Sequence, residues 1–390
     1  MKLVVIGAGA AGVAAAWRAA PSADVTLVHD TAGATSLYSG AADLLEWDDP
    51  RPAPPLDAPV AELAGKLWRL GDPVCRVATG AGVLRPARGI DPAVLDLAPL
   101  AGRHVAVADV GRDAWDAALV ARALADSAWA LSTNTRFSVV EVAALRRTHE
   151  RFIPAWDFAQ LHDDPDRRAW LCERIGRAHS DAEGWLFGPW LGVEPGSAAA
   201  LHEALGRPVG ETTSPPGGAA GTRFERARAA LLAEAGVAVV EACARAVAPD
   251  GNGWRVELGP ARSGSGADET LQADAVLLAV GGVAAGGVVL DEPRAGHRGG
   301  ASFHLSLRAP VRFELAGEEL DGVSSLHGVD FEARGLGALA RVGVLARGGQ
   351  VSGQPGLFVA GDALAGAPRT VLEAVRTGIS AADAALGAGA

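Results

Sequence analysis

The chain has 390 residues, a formal net charge of −11, 49% hydrophobic residues and three cysteines. The length is enough for a large buried core and suggests two domains, while the acidic balance, with arginines spread along the chain, argues against a nucleic-acid partner. Cys75, Cys172 and Cys243 are dispersed without a CxxC, so the sequence offers no redox disulfide, no iron–sulfur centre and no structural zinc of its own. No apolar run reaches the ~18 residues that span a bilayer, and no charged-apolar-small leader precedes Val4. The expectation is a cytoplasmic protein.

Lys2 to Ile6 reads as a short apolar strand, followed by Gly7-Ala8-Gly9-Ala10-Ala11-Gly12 and an Ala-rich helix from Val13 to Ala20. Asp24 to Val28 then reads as a second strand. A GxGxxG in this strand–turn–helix–strand setting is a dinucleotide fingerprint. Gly7 permits the tight turn, Gly9 lets backbone approach a pyrophosphate, and Gly12 lets the helix pack on the sheet, which places a diphosphate at a helix N-terminus. Gly7, Gly9, Ala10, Ala11 and Gly12 are the candidate diphosphate residues. The second strand should end in a carboxylate for ribose hydroxyls, at position 29 in the usual register. His29 and Asp30 stand there, so either Asp30 reaches from one residue later or His29 makes the contact.

Thr35 to Leu45 is rich in small residues and reads as running into a helix start. It is either a solvated loop with a cap or a backbone stretch lying along a flavin, with Ser39 and Gly40 as its candidate contacts. Pro50, Pro52, Pro54 and Pro55 mark a linker. From 56 to 222 helix-like and strand-like stretches alternate: a strand over 102–111, an amphipathic helix over 113–127, a strand over 137–142, a helix over 157–177 interrupted near Pro165, and a short strand over 184–188. The run Thr212 to Gly218 is loop chemistry that closes this second α/β region.

Arg223 to Ala235 is read as helical, Val237 to Glu241 as a strand, and Asp250 to Gly253 as a hairpin turn. Ala273 to Gly282 is a continuous apolar strand stopped by glycines, the pattern of a buried parallel strand. Residues 291–345 are richer in Arg, His and Phe and are expected to return to the second domain. Gly356 to Asp362 is a strand ending in Gly-Asp, and Thr370 to Leu386 is a helix. Three strands thus end in glycines, after Ile6, Val280 and Ala360, and all can converge on the carboxyl edge of one sheet. Gly281, Gly282, Gly361 and Asp362 join the candidate cofactor residues. Asp362 either accepts a ribityl or ribose hydroxyl or merely caps a helix.

This pattern resembles the two-dinucleotide-binding-domain flavoproteins. Tyr38-Ser39-Gly40-Ala41-Ala42-Asp43-Leu44-Leu45 is similar to the Ser-Gly-Ser-x-Asp-Leu-Leu segment of the B subunit of anaerobic glycerol-3-phosphate dehydrogenase. Ala275 to Gly282, with Gly286-Gly287 after it, is similar to that family's Val-Leu-Ala-Ser-Gly strand. Gly328-Val329-Asp330 and Leu357 to Asp362 fall where the family has its flavin-facing loop and last strand. His29-Asp30 and Asp362 depart from the family's residues.

The resemblance implies a Rossmann-like FAD-binding domain assembled from 1–48, 223–290 and 346–390, with an inserted second α/β domain from 56–222 and 291–345. It also implies FAD, with FMN as the alternative, and a small-molecule alcohol or phosphate-ester substrate. Electrons would pass to other dehydrogenase and iron–sulfur subunits, and only through such a partner would the cytoplasmic protein meet the inner face of a membrane. The rival readings are a stand-alone FAD-dependent oxidase or dehydrogenase of amino or hydroxy acids, and an assembly subunit with a vestigial flavin site. Candidate catalytic residues are His297, His304, His327 and Arg369, and Arg294 and Arg298 join Arg369 as candidate anion binders.

Overall fold

The computed structural model describes residues 1–31, 33–44, 55–178, 180–264, 266–291, 302–315, 317–320 and 341–388. The chain divides into two compact units, one of 1–35, 58–63 and 228–390, the other of 36–57 and 64–227. The expected Pro-rich linker falls largely outside the described residues.

The first unit is built on β1 (Lys2–Ile6), α1 (Ala10–Ala19), β2 (Asp24–His29), β3 (Ala238–Glu241), β4 (Ala275–Leu278), β5 (Ala346–Arg347), β6 (Gln350–Val351), β7 (Leu357–Val359) and α2 (Val371–Ala388). Its sheet runs β3-β2-β1-β4-β7-β6-β5. The first five strands in that order are parallel and the last two antiparallel. The connection from β3 to β4 is a three-stranded antiparallel meander (Cys243–Asp250, Gly253–Gly259 and Glu269–Ala273) whose first turn is the expected hairpin, Asp250 opposite Gly253.

Strand alternation divides the apolar residues between two layers. Val4, Ile6, Val276, Leu278, Leu357 and Val359 join one core with Val247, Trp254 and Val256 of the meander. Leu3, Val5, Leu277 and Phe358 point to the other face and are wholly buried. There α1 and α2 pack together so closely that a Cβ on Gly378 would stand 2.2 Å from the Ala11 carbonyl oxygen. A sheet covered on both sides explains why β4 reads as an unbroken apolar run.

One assignment is corrected. The described parts of 291–345 belong to the first unit: Ser302–Leu305 pairs with Val288–Asp291, and Leu305, Leu307, Phe313 and Val344 bury in the core of the β1 sheet. Alternating Phe and Leu specify a half-buried strand but carry no address for the core they join.

The second unit holds a four-stranded parallel sheet, in the order Arg136–Glu141, His104–Asp109, Gly184–Phe187, Val209–Glu211. It also holds an antiparallel sheet in the order Ala41–Leu44, Leu84–Ile90, Arg69–Ala78. Ala41–Leu44 is therefore a strand, correcting the expected helix start. The break near Pro165 is real: Ala155–Leu161 ends, Asp164 caps the Asp166 amide, and Pro165 opens the helix Pro165–Arg177, since Pro at a first helical position sacrifices no bonded N–H. Arg223 lies between two carboxylates, with Nε 2.8 Å from Asp91 Oδ1 and Nη2 2.7 Å from Glu211 Oε2.

Candidate dinucleotide site

The amide of Gly7 donates to the Val28 carbonyl at 2.8 Å, which fixes the turn leaving β1. At φ +110° and with Ala279 O 2.2 Å from where a Cβ would stand, position 7 admits only glycine. Gly12 is as constrained, because its Cβ would fall 1.8 Å from the Gly7 carbonyl oxygen. Gly9 differs. It precedes α1 in an extended conformation, φ −73°, and its Cβ would meet only Thr35 Oγ1, at 3.3 Å.

The other glycine-ended strands meet this turn. A Cβ on Gly282 would lie 3.0 Å from Asp362 Cβ, and one on Gly361 would lie 2.7 Å from Ala11 Cβ. The structure thus brings Gly7, Gly9, Ala10, Ala11, Gly12, Gly282, Gly361 and Asp362 to one carboxyl edge, with Gly281 next to Gly282 in chain. The cradle suits a diphosphate: a helix N-terminus, backbone amides, and no side chain at Gly9 to fill the space.

At the end of β2, His29 is half-buried, with the Thr31 backbone against its ring. Burial, then the Arg228 charge, lower its pKa, so the ring is neutral at pH 7 and can donate or accept. Asp30 instead stands 3.6 Å from the Arg262 guanidinium.

Asp362 is half-buried, and burial raises its pKa against the opposing Arg369 charge. It lies within the short turn Gly361–Ala363, while α2 begins at Val371 with Thr370 Oγ1 accepting from the Glu373 amide. A helix cap therefore does not explain this carboxylate.

Of the catalytic candidates, Arg369 and His304 fall among the described residues. Arg369 donates to the carbonyls of Leu364 and Val342 at 2.9 and 2.8 Å, which ties the loop before α2 to the segment that precedes β5. His304 lies in the Ser302–Leu305 strand, with Nε2 2.9 Å from Asp291 and Nδ1 2.8 Å from the Leu305 carbonyl; both ring nitrogens serve the hairpin. His297, His327, Arg294, Arg298 and Gly328-Val329-Asp330 lie outside the described residues. Ser39 and Gly40 belong to the second unit, where the Ser39 carbonyl accepts from the Ser214 amide at 2.7 Å and Gly40 packs against Val94 and Ala220.

Two residues that sequence reasoning passed over also shape the turn. Thr35 Oγ1 accepts from the Ala10 amide at 3.1 Å, and buried Arg228 donates from Nη1 to the Ala8 carbonyl at 2.8 Å. Substituting Arg228→Met is expected to cost about 1.5–3 kcal/mol, the worth of a charged hydrogen bond, read as a lower midpoint of chemical denaturation. An unchanged midpoint would show that Arg228 does not brace the turn.

No protein-family model matches the chain, and no curated protein matches it. Among solved structures it is similar to the Diels-Alderase PyrE3 of the biosynthetic pathway of pyrroindomycins, at 11% identity and TM-score 0.34, over 97% of this chain and 63% of that one. It is similar to the flavin-dependent monooxygenase PieE, solved in complex with FAD and substrate, at 14% identity and TM-score 0.33, over 97% of this chain and 56% of that one. It is also similar to the GidA-related protein from Thermus thermophilus, at 12% identity and TM-score 0.33, over 99% of this chain and 97% of that one. The chain spans less than two thirds of the length of the first two. Likeness at this level carries no argument about activity or cofactor, which rest on the geometry above.

Proposed function

We propose that the protein is an FAD-dependent oxidoreductase. The observation that carries this reading is the meeting of three glycine-ended parallel strands at the N-terminus of α1, where backbone crowds Gly7 and Gly12 but leaves Gly9 open. In this reading the α1 N-terminus holds the diphosphate, His29 meets a ribose hydroxyl, and the Asp362 carboxylate accepts a ribityl or ribose hydroxyl. A bound FAD would supply two-electron redox chemistry, and the chain's own residues would seat and orient it. The simplest test is to purify the protein, record its visible spectrum, and identify any released flavin as FAD or FMN. A colourless protein that takes up neither would sink the proposal and leave the vestigial-site reading.

Replacing Asp362 by Ala is expected to weaken flavin binding by about 1.5–3 kcal/mol with little change in melting temperature. Loss of thermal stability with unchanged flavin affinity would make Asp362 structural instead.

The finer reading is that of a subunit similar to the B subunit of anaerobic glycerol-3-phosphate dehydrogenase, passing electrons from an alcohol or phosphate ester to an iron–sulfur partner. It is supported by the segments 38–45 and 275–287, and by three dispersed cysteines that offer no onward relay within the chain. Among the described residues no helix is long and apolar enough to cross a membrane, so contact with quinone would run through that partner. The isolated protein should make peroxide slowly and regain turnover when co-expressed with neighbouring dehydrogenase and iron–sulfur subunits. Fast substrate-dependent peroxide formation by the protein alone would favour the stand-alone oxidase.

A further inference from the structure

In the second unit, three side chains from separate parts of the chain form a hydrogen-bonded relay on the parallel sheet. The register sets His104 opposite Arg136 and Ala106 opposite Ser138. Paired residues share a face, as do residues two apart, so His104 and Ser138 stand diagonally on the same face of neighbouring strands. Ser138 Oγ lies 2.7 Å from His104 Nε2, and His104 Nδ1 lies 2.7 Å from Oδ1 of Asp181, which precedes the strand Gly184–Phe187. All three residues line an open cleft of about 960 Å³. Gly176, near the end of the helix Pro165–Arg177, lines it too and has no atom within 4 Å of where a Cβ would stand. The His104 hydrogen bond holds the Asp181 carboxyl below its usual range.

Hydroxyl, imidazole and carboxylate in this order and at these distances are the arrangement of an activated serine, recognised by geometry rather than by order in the chain. With its Nδ1 proton donated to Asp181, His104 presents the Nε2 lone pair to the Ser138 hydroxyl. An amide donor stands nearby as well. Arg136 donates to the Arg103 carbonyl at 2.9 Å and Val142 to the Asp109 carbonyl at 2.8 Å. The even-numbered amides of the strand Arg136–Glu141 therefore face inward. The Val139 amide points out of the sheet's terminal edge, with which no described strand pairs. The amide following the nucleophile is a donor that acyl-transfer sites use for the oxyanion.

We propose that Ser138, His104 and Asp181 form an acyl-transfer site that hydrolyses small carboxylic esters. Ser138 Oγ bonds to the ester carbonyl carbon as its proton passes to His104 Nε2. The carbon–oxygen bond to the leaving alcohol breaks, and that alcohol takes the proton from His104. Water, deprotonated by His104, then releases the carboxylic acid and restores the serine. The step is redox-neutral, needs no flavin, and does not depend on the dinucleotide reading.

The test uses the full chain with a fluorophosphonate probe and with p-nitrophenyl acetate, mapping the labelled residue by mass spectrometry. Labelling is expected at Ser138, with ester turnover at least about 100-fold lower in Ser138→Ala and His104→Gln, and about 10-fold or more lower in Asp181→Asn, whose exposed position weakens its hold on the ring. Gly176→Leu, which projects into the cleft from a position with open space, should block labelling while leaving the relay and the flavin content intact. Should Ser138→Ala fail to fold, labelling of the wild type at Ser138 and its loss in Gly176→Leu decide the matter. Labelling absent or spread over other serines, or turnover unchanged in Ser138→Ala, would overturn the proposal and leave the three residues a structural clasp.

Discussion

Gly9→Val should give a stably folded protein without flavin, whereas Gly12→Val should be strongly destabilised. The two glycines lie three residues apart in one motif, yet different atoms surround them. A side chain at position 12 would begin 1.8 Å from the Gly7 carbonyl oxygen and 3.4 Å from Ala279 Cβ. Neither the turn nor the helix can yield without unseating α1 from the sheet, so overpacking there should cost about 3 kcal/mol or more. At position 9 the backbone is extended and the only neighbour of a new Cβ is Thr35 Oγ1 at 3.3 Å, which a rotamer change relieves. What valine would fill is the space in front of the α1 amides. Losing two charge-assisted amide bonds of about 1.5 kcal/mol each lowers affinity by at least about 100-fold. Flavin-to-protein absorbance ratio and melting temperature, measured on both variants, separate the effects. If Gly9→Val keeps its flavin at wild-type ratio, the diphosphate is not seated there; if Gly12→Val melts like the wild type, the close approach of helix and turn is wrong.

The parts of this architecture that could be read from sequence are those whose signal is local. Lys2 to Gly12 carries a strand, a forced turn and a helix start within eleven residues, and Ala275 to Leu278 carries the continuous apolarity of a strand buried on both faces. The structure reproduces both, with boundaries shifted by a few residues: α1 begins at Ala10 rather than Val13, because Gly9 is the last extended residue. What could not be read depends on distance. Thr35 and Arg228 reach the turn across 25 and 220 residues, and nothing near either residue announces that contact. Ala41–Leu44 is held as a strand by pairing with Leu84–Ile90, although its small residues read locally as a helix start. Arg369 is a contact of the same kind, since two of its donors go to the carbonyls of Leu364 and Val342, 5 and 27 residues away.

A large loss of stability is also expected at Arg223, in the second unit. Its side chain is 2% exposed and those of Asp91 and Glu211 are 2% and 0% exposed, so the three groups are cut off from water together. Glu211 also accepts from the Leu191 amide, and Asp91 from the Ala93 amide at 2.9 Å. Arg223→Leu leaves both carboxylates buried without their counter-charge, a change expected to cost about 3–5 kcal/mol, against the roughly 5–15 kcal/mol that holds a domain together. The pH dependence tells this cause from simple loss of packing. Burial raises the Glu211 pKa from 4.5 to about 7, with Arg223 as the opposing influence. The folded protein then binds the Glu211 proton more tightly than the unfolded chain does, so this group's contribution to stability falls as pH rises from 4.5 to about 7 and is level above it. Glu211→Gln should remove that slope. In Arg223→Leu the Glu211 carboxyl holds its proton more tightly still, so the deficit relative to wild type should be smaller at pH 5 than at pH 8. Chemical denaturation at the two pH values measures it. A deficit of equal size at both would mean that the guanidinium acts by filling space, and that its charge is not what holds the two carboxylates in place.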